Sequence, residues 1–109
     1  MKKVPSTGIE LPIPVIPNIH KLVYEAVLSS PEKLRMGEWH SQCGTAHCRA
    51  GWIVAIAGDQ GTDLEESLGT AHAAALICQA SGHPVQIRRF YFDSRVEALA
   101  DMKRMAVLP

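Results

Sequence analysis

The chain has 109 residues, 47% hydrophobic and 20% charged, which suits one domain around one hydrophobic core and excludes a disordered chain. Lys plus Arg equals Asp plus Glu at 11 each, so no excess charge drives general attraction to nucleic-acid phosphate or to anionic lipid. What remains is a small globular domain whose chemistry, if it has any, is local.

The basic start Met1-Lys2-Lys3 is followed by Pro5, Pro12, Pro14 and Pro17, which prevent the continuous apolar helix of a signal peptide. No apolar run reaches the ~20 residues that span a bilayer, so no membrane partner is expected and a cytoplasmic location follows, in a bacterium or in the host of a phage. Residues 1–17 read as an extended proline-rich arm and residues 18–109 as a single α-helical domain. Ile9, Leu11, Ile13, Val15 and Ile16 make the arm apolar. It is expected to lie across the domain's own core or against another chain, a route to a homo-oligomer.

Beyond the arm the pattern is helical. Asn18 is placed to cap a helix over 19–29, with Ile19, Leu22, Val23, Ala26 and Val27 on one stripe. Ser30-Pro31 opens a short helix that Gly37 ends. Thr45 caps a central helix over 46–57, apolar nearly all round, which Gly58 ends in the left-handed conformation. Thr62-Asp63-Leu64-Glu65 matches the capping box of a short helix closing at Gly69, and Thr70 caps a second apolar helix that Gly82 and Pro84 stop. Arg88-Arg89-Phe90-Tyr91-Phe92 is the one β-like run and reads as a connecting segment whose aromatics seal the core. Ser94-Arg95-Val96-Glu97 repeats the capping box and opens a last helix with Val96, Leu99, Ala100 and Met102 to Met105 inward. The fold expected is all-α, a compact bundle of about five helices.

Chemistry concentrates in one stretch. His40, Cys43, His47 and Cys48 place four nitrogen or sulfur donors within nine positions, the donor types of a zinc site. If His47 and Cys48 are helical neighbours, their side chains diverge by about 100 degrees, which works against a shared ion. Cys48 in the first turn of a helix would be poised as a thiolate, with His40 or His47 as base, but no carboxylate stands nearby in sequence to orient that base. Cys43 and Cys48 would close a reversible disulfide if Gly44 supplied the bend. With Cys78 the cysteines are three, unlike a secreted disulfide framework, so reduced thiols are expected. As packing residues, Thr45 caps, Gly51 lets another helix cross closely and Trp52 fills the next layer.

Met36-Gly37-Glu38-Trp39 followed by Cys43-Gly44-Thr45-Ala46-His47-Cys48-Arg49-Ala50-Gly51-Trp52 resembles the Met-Gly-x-Trp and Cys-Gly-Thr-x-x-Cys-x-Ala-Gly-Trp signature of a family of small uncharacterised bacterial and phage proteins. The resemblance runs over roughly residues 34–105 and leaves the arm outside. It implies no particular activity. In many such relatives a small residue stands at the position of His47, so the resemblance implies a framework of the two cysteines and the Gly-Trp pair rather than a metal at that histidine.

The function expected is a non-enzymatic protein-interaction module of the bacterial or phage type, binding or inhibiting a host protein if phage-encoded, with Arg88, Arg89, Phe90 and Tyr91 as its surface and no cofactor. The alternatives are a zinc or reactive-thiol site at His40, Cys43, His47 and Cys48, and nucleic-acid binding through Arg88, Arg89 and Arg95.

Overall fold

A computed structural model of the chain describes residues 2–6, 9–37, 39–40 and 47–108, with main chain only for 2–6, 9 and 10. Six helices follow an N-terminal hairpin among the described residues. Strands β1 (Lys2–Ser6) and β2 (Ile9–Ile13) pair antiparallel, with Lys2 opposite Ile13. The arm is therefore extended, as its prolines require, but folded back on itself. Ile13 is buried, and Leu11 and Ile16 pack on the core, so the arm covers its own domain.

Helix α1 (Ile19–Ser29) buries Ile19, Val23 and Val27. Asn18 precedes it in the left-handed conformation, φ 59°, and its side chain makes no capping bond. Leu22, expected on the inner stripe, is exposed. His20 is buried instead, its Nε2–H donating to His83 O at 2.7 Å and tying α1 to the turn after α4. Pro31–Lys33 forms a single 3-10 turn.

Helix α2 runs Arg49–Ile56, starting later than a Thr45 cap would place it. The reason is in the main chain. His47 N–H donates to Lys33 O at 2.9 Å and Arg35 N–H donates to His47 O at 2.8 Å, which holds His47 extended. Cys48 becomes the N-cap, its Sγ accepting from Gly51 N–H at 3.5 Å. Thr45 itself lies outside the described residues.

Gly58, φ +72°, turns the chain from α2 into α3 (Gly58–Leu68), which begins four positions before Thr62 and so leaves the expected capping box unmade. Thr62 Oγ1 donates back to Gly58 O within the helix. Gly69, φ +87°, separates α3 from α4 (Thr70–Ala80), and Gly82, φ +101°, follows its end. The β-like run forms a one-turn helix, α5 (Arg89–Phe92), and does not seal the core with all its aromatics: Phe90 is buried, whereas Tyr91 is 59% and Phe92 81% exposed. Helix α6 (Arg95–Ala106) carries the capping box that its sequence predicts, with Glu97 N–H on Ser94 Oγ at 3.2 Å and Ser94 N–H on Glu97 Oε1 at 2.9 Å. Its inner face is Ala98, Met102 and Met105, and Val96 points outward.

The core lies where α2 packs on α4 and α1 on α6. Ala50, Ile53 and Val54 of α2 and Ala73, Ala74 and Ile77 of α4 are fully buried, and the alanines allow the two helices to lie close. No described helix is long and apolar enough to cross a membrane.

Candidate functional site

The first turn of α2 builds the most polar corner of the molecule. Gly51 is the pivot. A Cβ there would stand 1.9 Å from Trp39 O, so only glycine admits the segment bearing Trp39 and His40 against α2. The expected close approach is real, but what approaches is loop main chain rather than a crossing helix. Cys48 Sγ faces the same carbonyl at 3.9 Å. Trp52, half-buried, donates its indole N–H to Lys33 O at 3.1 Å and meets His47 edge-on with centroids 4.9 Å apart. Gly51 and Trp52 thus position the loop as well as the core.

This packing brings His40 and His47 together, Nδ1 to Nδ1 at 2.7 Å. The opposite nitrogen of His40, Nε2, donates to Glu65 Oε2 at 2.5 Å. Thr70 Oγ1 donates to that same oxygen at 2.7 Å, so α3 and the start of α4 both hold the carboxylate. His40 Nε2 carries its proton toward the carboxylate, and across the Nδ1 contact one ring donates while the other accepts. Burial lowers the pKa of His47, and His40 beside it lowers it further against the pull of Glu65, so His47 stays neutral near pH 7. The carboxylate missing near the histidines in sequence is Glu65, 25 positions after His40. Its signal was its place in the helix ending at Gly69, beside the start of the next.

The sequence-predicted donor set is divided. His40 and His47 meet, and Cys43 lies outside the described residues. Cys48 turns into the start of α2, where burial raises its pKa despite the N–H groups around it, so it is a buried thiol rather than a thiolate. Cys78 is pushed up to about 12 by burial. Among the described residues no three His, Cys, Asp or Glu side chains are arranged around a common metal position.

The arginines do not converge either. Arg95 donates to Leu34 O and Pro31 O at 2.5 and 2.7 Å, fastening α6 to the 3-10 turn. Arg88 bonds Gln86, and Arg89 bonds Asp93 and approaches Asp101. The arginine that sequence reasoning passed over is Arg49, 2% exposed, whose Nη1 donates to Asp101 Oδ2 at 2.7 Å. Arg104 bonds the other oxygen of Asp101. Asp101 in the inner face of α6 was the available signal.

Beside His40 a pocket of about 580 Å³ opens between the loop and α5, lined among the described residues by Met36, Trp39, His40, Glu65, Thr70 and Tyr91 with Gly37 and Phe90. Trp39 stands edge-on to Tyr91 with centroids 5.4 Å apart, and Phe92 continues the aromatic edge at 6.4 Å from Tyr91. Of the expected surface, Tyr91 is on this edge and Phe90 is inside. Comparison of the chain with models of protein families, with curated proteins and with solved structures returns no match.

Proposed function

We propose that the chain is a non-enzymatic protein-interaction module of the small bacterial and phage type its signature resembles, contacting its partner with the aromatic edge Trp39–Tyr91–Phe92. One observation carries the reading: α5 is a single turn that holds two large aromatics out of the core, Tyr91 at 59% and Phe92 at 81% exposure. Aromatics of this kind are enriched at the anchoring centres of interfaces. With neutral overall charge, selectivity rests on such local features rather than on a long-range field. A photo-crosslinking residue at position 92 is expected to capture the partner in a host lysate, and Phe92→Ser to abolish co-purification while leaving the melting temperature unchanged. Equal co-purification by the Ser variant would contradict the reading.

A second reading, a zinc site, starts from the facing Nδ1 atoms of His40 and His47, whose shared proton a metal would replace, with Glu65 behind His40. Zinc-bound histidines usually give their other nitrogen to a carboxylate in this way. Cys43 is the further donor the sequence offers. One equivalent of zinc in purified protein, with a melting temperature that chelator lowers, would support it over the module; metal-free protein with an unchanged melt would oppose it.

A further inference from the structure

We infer that the pocket beside His40 recognises an organic cation, and that the group it takes from a protein partner is a lysine or arginine side chain. For the partner this rests on the module reading; the cation site itself does not. Two kinds of wall meet in the pocket. Trp39 and Tyr91 supply π systems, whose negative faces attract an ammonium or guanidinium. Glu65 supplies a carboxylate fixed in place, since His40 Nε2 and Thr70 Oγ1 both bond Oε2 and, among the described residues, Oε1 remains for a ligand. No lysine or arginine lines the pocket among the described residues.

The alternatives fit less well. An anion would meet both a carboxylate and electron-rich rings. A neutral apolar group would strip water from Glu65 without replacing its hydrogen bonds. A cation satisfies both walls at once, and a volume of about 580 Å³ accommodates a long basic side chain. The carboxylate and the ring faces would then hold the charged head group together.

The full chain is titrated with choline and with its uncharged isostere 3,3-dimethylbutanol, then with the amides of acetyl-lysine and acetyl-arginine, following the NMR signals of the Trp39 indole and Tyr91 ring. Saturable shifts are expected with the cations and not with the isostere. Glu65→Gln keeps an oxygen for His40 and Thr70 but removes the charge, and is expected to weaken cation binding about tenfold or more. Tyr91→Ala, at an exposed position, is expected to weaken it without disturbing the His40–Glu65 bond. Equal response to charged and uncharged probes, no response to either, or unaltered binding in the Gln variant would overturn the cation site. Partner capture lost in Phe92→Ser with no cation bound would overturn this inference and leave the module standing. Cation binding with partner capture unchanged in Phe92→Ser would do the reverse.

Discussion

The two halves of α2 meet the rest of the protein by different rules. Toward its C-terminal end, Ile53 and Val54 pack among aliphatic and alanine side chains of α4 and its neighbours, where what matters is volume. At its start, Cys48, Arg49, Gly51 and Trp52 each have a specified partner: the Gly51 N–H, the Asp101 carboxylate, the Trp39 carbonyl and the Lys33 carbonyl. The C-terminal half packs against helices and the start fastens a loop and one buried ion pair, so the candidate site depends on single atoms while the core tolerates exchange.

The largest effect expected is at the buried ion pair. Asp101→Leu leaves the Arg49 guanidinium, already without partners for Nε and Nη2 among the described residues, with no counter-charge, and should cost about 3 to 5 kcal/mol in urea denaturation. Adding Arg49→Met should recover most of that loss, because the buried charge goes with its partner. A double variant as unstable as the single one would show that the site needs the pair itself.

Next comes the contrast within α2. Gly51→Ala drives a methyl into Trp39 O and should cost about 1 to 3 kcal/mol, with altered Trp39 and His40 resonances. Ile53→Val, at the volume-ruled end, should cost about 0.5 to 1.5 kcal/mol and leave those resonances in place. Equal loop disturbance by both would erase the distinction between the two ends.

The same division marks what was legible in the sequence. Ser94 and Glu97 announce the start of α6, and Gly58, Gly69 and Gly82 mark helix boundaries through positive φ, because caps and turns are local chemistry. The start of α2 was misplaced because threonine is the better cap by side chain, whereas main-chain bonds from Lys33 and Arg35 hold His47 extended and hand the cap to Cys48. His40 with Glu65 and Arg49 with Asp101 were invisible to periodicity: the partners lie 25 and 52 positions apart, and only the packing of α2, α3 and α6 selects them.

The smallest effect expected is with pH. Burial lowers the pKa of both His20 and His47, so the folded protein binds fewer protons at these rings than the unfolded chain does. Their contribution is fully present above about pH 6.5, the ordinary histidine value, and is lost as pH falls below it toward the lowered folded values. A melting series from pH 8 to 5 should decline below that point, and His20→Gln should flatten part of the decline. A series that rises on acidification would reverse the sign and contradict neutral buried rings.

The claim on which the site rests is that His40 is fixed between Glu65 and His47. Nitrogen-15 NMR of the imidazoles tests it directly. The structure predicts a fixed proton arrangement at both rings, with His40 protonated at Nε2 toward Glu65, and a scalar coupling between the two Nδ1 atoms across their 2.7 Å hydrogen bond. Rapidly averaging tautomers at His40, with no coupling to His47, would contradict it.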